Sequence, residues 1–307
     1  MNIVHAPSEL KEAKSKICLA IGFFDGVHLG HQQIIRQTIS DARQREALAL
    51  VLTFDRHPNS VVAPEREPPL IYSLPQKLRA IQGLGADSLL LIQFDKPFSE
   101  QTGEAFVRGL VRDFPHIQSL CVGANFLFGH KRGGNVDLLR RLGQEIGFSV
   151  HGMSAVSLDG KAVSSTRIRQ AVLAGDLDSA SQMLGRAYSL SGSIVRGDGL
   201  GKKLGFPTAN IDTTGLVLPP RGVYAAHAGV SGRDHRAVVN IGLRPTLDNP
   251  SPQLRVEAHL MDFQAELYGE EMVLTFVEKL RDETKFASLA ELRDQIARDV
   301  HQAQARF

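Results

Sequence analysis

Tryptophan is absent from these 307 residues, cysteine occurs only twice, and aromatic residues make up just 6 %. Two cysteines cannot build a disulfide framework or a thiolate zinc site, so the fold must rest on its own cores, a pattern suited to a reducing cytoplasm. Cys18 and Cys121 both fall in apolar, strand-like runs and read as inert core residues. No apolar run approaches the roughly 20 residues of a membrane span. The opening Met-Asn-Ile-Val-His-Ala-Pro has neither the basic nor the apolar region of a signal peptide. Net charge is +2, from 35 basic and 33 acidic side chains, so no basic field invites nucleic acid or an anionic bilayer. What is present is ordinary for a soluble globular chain: 43 % hydrophobic and 22 % charged residues, without internal repeats or low-complexity segments. The length suits two domains, each able to bury its own core.

The first 185 or so residues alternate strand and helix. Strands are expected at 17–21, 47–54, 88–94, 119–122 and 149–153, and helices at 31–45, 75–82, 104–113 and 136–145. Near-continuous apolar strands predict a parallel sheet covered on both faces, with ligands at the carboxyl ends of its strands. Five prolines in 55–75 make that segment a long ordered loop, a length that is usually functional. Short helices at 165–174 and 177–184 close this half, and 185–187 reads as the joint. Beyond it, short strands at 188–195, 222–230, 237–241, 254–261 and 271–280 predict a small antiparallel barrel. Ser288 and Glu291 form a capping box for a terminal helix.

The densest functional information lies in 17–31. An apolar strand runs into Gly22-Phe23-Phe24-Asp25-Gly26, and a helix follows Val27-His28-Leu29-Gly30-His31. Both imidazoles then sit at a helix N-terminus, where free N–H groups and the dipole favour phosphate. Gly30 leaves no side chain between them. The bland alternative is a cap and a surface residue on an ordinary α/β unit. The whole strand–loop–H-x-G-H sequence is more specific than that. It resembles the signature of the nucleotidylyltransferase superfamily and, in its extended form, the N-terminal module of bacterial bifunctional riboflavin kinase/FMN adenylyltransferases, also called FAD synthetases.

Three further stretches of this half match the same family. Thr53-Phe54-Asp55-Arg56-His57-Pro58 follows the second strand, with Arg56 where the family usually has proline. Gly123-Ala124-Asn125-Phe126-Leu127-Phe128-Gly129 resembles G-x-[DN]-F-x-F-G, with Leu127 where relatives are often polar. Ser164-Ser165-Thr166-Arg167-Ile168-Arg169 resembles S-S-T-x-I-R and pairs a second helix N-terminus with guanidinium donors. Carried over residue by residue, the resemblance implies ATP contacts at Phe24, Asp25, Gly26, His28, His31, Asn125, Ser164, Thr166 and Arg167, with His28 and His31 catalytic. It also implies flavin contacts at His57 and Phe128.

In the second half the glycines of 197–201 invite a Walker A reading, but that loop needs Gly at 196 and Ser or Thr at 203, where this chain has Arg196 and Lys203. The stretch instead resembles the riboflavin kinase pattern G-x-G-x-x-L-G-F-P-T-A-N. The implied ATP contacts are Gly199, Gly201, Lys202, Gly205, Phe206, Pro207, Thr208 and Asn210. Thr208 and Asn210 alternate on one strand face, so both oxygens can reach one Mg²⁺. Asn240-Ile241-Gly242-Leu243-Arg244-Pro245-Thr246 and the stretch around Glu257 also match. The resemblance implies that Glu257 is the general base on the riboflavin 5′-hydroxyl, and that Glu257 and Arg281 contact flavin.

The resemblance covers nearly the whole chain. It implies a Rossmann-like nucleotidylyltransferase domain at 1–186, followed at 187–307 by a riboflavin kinase β-barrel with a C-terminal helix. The barrel would make FMN from riboflavin and ATP, and the first domain would make FAD and pyrophosphate from FMN and ATP. Mg²⁺ is the implied cofactor and ATP the co-substrate. Riboflavin, FMN and ATP are the expected partners, without nucleic acid or membrane, in a cytoplasmic monomer or weak homo-oligomer.

Overall fold

The computed structural model describes residues 1–10, 15–243, 254–263 and 265–307; Arg244, Pro245 and Thr246 of the second-half motif lie outside them. Contacts divide the chain into two compact units: 1–70 with 74–165, and 71–73 with 166–307.

The first unit is built on six strands: β1 (Asn2–Val4), β2 (Ile17–Ile21), β3 (Leu48–Phe54), β4 (Ser88–Ile92), β5 (Ile117–Gly123) and β6 (Ser149–Met153). They form one parallel sheet in the order β1-β4-β3-β2-β5-β6. The crossovers are α1 (Leu29–Arg45), α2 (Asn59–Val62), α3 (Leu74–Gln82), α4 (Lys96–Ser99), α5 (Gly103–Asp113) and α6 (Val136–Ile146). The strand period of two divides β2 between two cores. Ile17, Leu19 and Ile21 face Phe106, Leu110, Leu139 and Leu142 of α5 and α6. Cys18 and Ala20, with Ala49 and Cys121, make the opposite face, a surface of small side chains that α1 covers with Ile34, Ile35 and Ile39. Both thiols are buried, and burial raises their pKa values, that of Cys121 to about 12, as inert core cysteines require. Successive strands go one way from β2 and the last two go the other, so the order reverses between β2 and β5, where doubly wound sheets open a ligand crevice.

Two details depart from the sequence reading. β1 carries no periodic signal of its own and becomes a strand by pairing Asn2, Ile3 and Val4 with Ser88, Leu89 and Leu90. The proline-rich 55–75 segment is an ordered connection, but it contains one helical turn, α2, and a 3₁₀ turn at Pro64–Arg66. His57 explains that turn: its Nδ1 accepts from Asn59 N at 3.0 Å and its carbonyl accepts from Ser60 Oγ at 2.7 Å.

After a small hairpin, β7 (Ser157–Leu158) and β8 (Lys161–Ala162), come α7 (Ser165–Ala174) and α8 (Leu177–Leu184). α8 starts at an Asp176 cap and stops at Gly185, which is left-handed at φ 69°. The second unit's six strands are β9 (Ser189–Val195), β10 (Ala209–Ile211), β11 (Gly222–Val230), β12 (Arg233–Leu243), β13 (Leu254–Leu260) and β14 (Glu271–Arg281), with one helical turn, α9 (Leu200–Lys203), before β10. They close into an antiparallel barrel in the order β10-β13-β12-β11-β14-β9. Along β13, Val256, Ala258 and Leu260 fill the interior while Arg255, Glu257 and His259 are half-buried outside it. α10 (Leu289–Gln304) begins at Ser288, whose hydroxyl accepts from Glu291 N; the Glu291 carboxylate answers to Ala287 N, one residue before the cap. α10 lays Val300 and Ala303 on Val223, Ala225 and Val238. That contact puts one wall beside the polar outer face of the barrel.

Candidate active sites

In the first unit, the loop after β2 is bent into conformations few side chains adopt. Phe24 (φ 55°), Gly26 (φ 73°) and even β-branched Val27 (φ 42°) are left-handed. Three of its carbonyls are drawn back into the protein: Phe23 O accepts from Thr53 Oγ1 at 3.0 Å, Asp25 O from Ser165 Oγ at 3.2 Å and Val27 O from Gln32 Nε2 at 2.9 Å. These bonds hold the strained loop in place. The Phe24 ring lies in the core against Gly22, so any contact it offers a ligand runs through its backbone. Asp25 and Gly26 are buried with it.

His28 is the buried N-cap of α1. Its Nδ1 caps α1 by accepting from His31 N at 3.4 Å, and its ring stacks on His31 at 3.6 Å with 19° between planes. Burial, then the neighbouring His28 and Lys77, push the His31 pKa well below 6.5, so its imidazole is neutral at pH 7. Ser164 precedes α7, and Thr166 and Arg167 lie in its first turn, with Ser164 and Arg167 half-buried.

A cavity of about 660 Å³ opens at the carboxyl ends of the first unit's strands. Phe23, Phe54, Phe94, Phe98, Phe106, Phe126 and Phe128 line it, and His57, Lys96, His130, Lys131 and Arg132 also border it. Phe126 and Phe128 stack at 5.3 Å, while His57 sits edge-on to Phe23 at 4.9 Å. The structure thus brings His57 and Phe128 to one cavity suited in size and lining to a flat ring. Asn125 is exposed beyond the end of β5 and does not line it.

In the barrel, register does what sequence distance conceals. Asn210 of β10 pairs with Glu257 of β13, which pairs with Asn240 of β12; Asn240 pairs with Val223 of β11, and Val223 with Arg281 of β14. One row across five strands therefore carries Asn210, Glu257, Asn240 and Arg281, and all four border a cavity of about 360 Å³ with Gly199, Gly201, Phe206 and Thr208. Lys202 and Pro207 instead border a neighbouring 370 Å³ cavity, which Thr208 shares, with Phe263 and Tyr268. Gly205, at φ 90°, turns the chain out of α9 between these two groups. Gly197 passes so close to the Asn210 amide that an added Cβ would fall on it, and a Cβ on Gly201 would meet Phe206 O and Thr208. Gly197 and Gly201 are spacers that let the backbone pass close to polar groups, whereas Gly199 and Gly205 supply left-handed turns. Arg281 is held by α10 through a bidentate pair with Asp299, Nε–Oδ1 2.8 Å and Nη2–Oδ2 2.7 Å.

Sequence reasoning had not assigned Lys77, Asn240 or Asp299. Lys77 carried a signal: with Leu74, Leu78 and Ile81 it falls on the apolar stripe of α3, where a lysine is out of place. Asp299 lies among several charged residues of the terminal helix, and its sequence neighbours give no sign of the Arg281 partner 18 residues away.

Family models match most of the chain. A family model described as FAD synthetase matches residues 10–167, and one described as riboflavin kinase matches 184–307. The bifunctional riboflavin kinase/FMN adenylyltransferase of Escherichia coli K12 is 36 % identical over 97 % of this chain and 96 % of its own length. The chain belongs to the bifunctional riboflavin kinase/FMN adenylyltransferase family. The Haemophilus influenzae member is 37 % identical over 94 % of both chains. A Streptococcus pneumoniae crystal structure, described as a macrolide-efflux protein, covers 98 % of each chain at a TM-score of 0.82 and 26 % identity. That description stays with that protein; among the described residues here, no helix is long and apolar enough to cross a membrane. As a member of this family, the chain phosphorylates riboflavin to FMN with its C-terminal domain and adenylylates FMN to FAD with its N-terminal domain, with ATP as co-substrate in both steps.

Proposed function

We propose that each reaction is carried out by the residues the two units gather: the 22–31 loop with the phenylalanine-lined cavity for adenylyl transfer, and the Asn210–Glu257–Asn240–Arg281 row for phosphoryl transfer. The observation that carries this reading is the pairing of Glu257 with Asn210 across two barrel strands. In the barrel, Glu257 takes the proton from the riboflavin 5′-hydroxyl as that oxygen attacks the ATP γ-phosphorus and the bond to the β,γ-bridging oxygen breaks, releasing ADP, and Arg281 lies on the flavin side. Thr208 and Asn210 supply neutral oxygens, and phosphate and water complete a hard-cation shell. The glycine cradle and oxygen-only donors suit Mg²⁺; among the described residues no cluster of three His, Cys, Asp or Glu competes to hold a metal. When bound, Mg²⁺ neutralises phosphate charge.

In the first unit, the FMN ring lies among Phe128, Phe126 and His57, and the FMN phosphate attacks the ATP α-phosphorus. His28, His31 and the N-terminus of α1 take up the developing charge as pyrophosphate leaves, with Ser164 a further phosphate contact. Each step is alignment plus charge neutralisation, without a covalent intermediate. Activity divides at 186/187, three residues after the riboflavin kinase match begins at 184. The enzyme works in the cytoplasm as a monomer or weak homo-oligomer. The test is chromatography of flavins after incubation with riboflavin, ATP and Mg²⁺. His28→Ala with His31→Ala should stop at FMN, and Glu257→Gln should slow phosphorylation by about 10²–10⁴-fold while converting supplied FMN normally. FAD formation within a few-fold of the parent in the double variant refutes the histidine clamp, and an unchanged kinase refutes the base.

A further inference from the structure

Lys77 is 3 % exposed, has no carboxylate in bonding contact among the described residues and sits directly behind the 22–31 loop. Its ammonium donates to Phe54 O at 2.7 Å and to Phe23 O at 3.3 Å, and lies 4.4 Å from the centre of the Phe23 ring. Those two carbonyls follow β2 and end β3, adjacent paired strands whose carboxyl ends border the aromatic cavity. Phe23 also lines the aromatic cavity and touches His57 edge-on. One ammonium therefore holds the cavity wall and the root of the 22–31 loop. A hydrocarbon stripe would have been better filled by leucine if packing were the purpose, because a buried charge is costly even when hydrogen-bonded.

We propose that Lys77 is a positioning residue for adenylyl transfer: it fixes Phe23 and the Phe54 carbonyl at the mouth of the crevice and puts a buried positive charge behind the phosphate-binding histidines. The charged groups that face it are Asp25 in the loop, Asp55 after β3, and His31 on α1, with Arg56 tied to Asp55. Burial lowers the Lys77 pKa to about 8 against the pull of Asp25 and Asp55, so it is charged at neutral pH and loses its proton just above. Lys77 in turn helps keep His31 neutral in the free enzyme. The lysine thereby leaves His31 free to take up charge when a polyphosphate arrives.

The proposal rests on reading 22–31 as the nucleotide loop, and the two fail separately. The histidine double variant tests that loop; Lys77 variants of the full chain test the positioning. Lys77→Met keeps length and apolar bulk but loses the charge. It should lower kcat for FMN adenylylation 10–100-fold, leave riboflavin phosphorylation within twofold, and move the acid limb of kcat/KM for FMN to higher pH, because removing a neighbouring cation favours the imidazolium. Lys77→Arg, always charged, should keep the acid limb in place and lose the alkaline fall near pH 8. Adenylylation within threefold of the parent in Lys77→Met overturns the proposal. So does a slowed Lys77→Met whose acid limb is unmoved, since that marks Lys77 as filler. If Lys77→Met does not fold, the arginine variant decides: an alkaline limb identical to the parent's assigns that limb to another group and overturns the proposal.

Discussion

Cutting the Arg281–Asp299 pair reports on the barrel's stability and its flavin side at once. Asp299 is 2 % exposed, receives both guanidinium bonds, and accepts a third from Gln295 Nε2 at 2.8 Å. Truncating one partner of a buried pair costs about 3–5 kcal/mol, largely because the other charge stays behind unpaired. The Arg281 side chain keeps 21 % of its surface and also donates to Asp282 O and Thr284 Oγ1, so water and these oxygens soften the loss. Asp299→Ala should therefore cost about 3 kcal/mol, the low end. For a unit of this size 1 kcal/mol moves the midpoint by about 3–5 °C, so the second unit's transition in a calorimetric scan should fall by roughly 10 °C. Arg281, no longer fixed in the row with Glu257 and Asn240, should lose its hold on riboflavin, raising KM for the kinase severalfold. Conversion of supplied FMN to FAD below the new midpoint should be unchanged. Asp299→Asn, which keeps the shape, should show about half of each effect. A midpoint within 2 °C of the parent, with riboflavin KM unmoved, would refute the claim that α10 positions the guanidinium.

Gly197→Ala puts a methyl group on the Asn210 amide, so kinase activity should drop at least tenfold in a Mg²⁺ titration, with adenylylation intact and little change in folding; normal Mg²⁺ dependence would exclude Asn210 as a ligand. Lys77 has a folded pKa of about 8 against 10.5, so the unfolded state binds more protons between those values and stability gains about 3 kcal/mol as pH rises through the window. Urea unfolding at pH 7.5 and 10 should show that gain in the parent and not in Lys77→Met, and equal slopes in the two proteins would contradict a charged buried lysine. A fragment from 187 to 307 should fold and make FMN but no FAD, by chromatography; a folded fragment that binds riboflavin and ATP without phosphorylating it would move the functional boundary upstream.

Local chemistry by itself determined a good deal. The near-continuous apolar runs of β2 and β3, the period of 3.6 in α1, α5 and α6, and the glycine-separated short strands after 187 each follow from neighbours a few residues apart. H-x-G-H and P-T-A-N were legible for the same reason: residues three or two apart share a helix mouth or a strand face whatever the rest of the chain does. The tertiary structure decided what depends on pairing between distant segments. β1 and β10, three residues each, exist because β4 and β13 offer them a ladder. The side-chain row from Asn210 to Arg281 depends on inter-strand register, which is set by barrel closure. Lys77 and Asp299 acquired roles because α3 and α10 bring them to carbonyls and a guanidinium that are distant in sequence, and burial there makes a single hydrogen-bonded charge count for far more than it would in water.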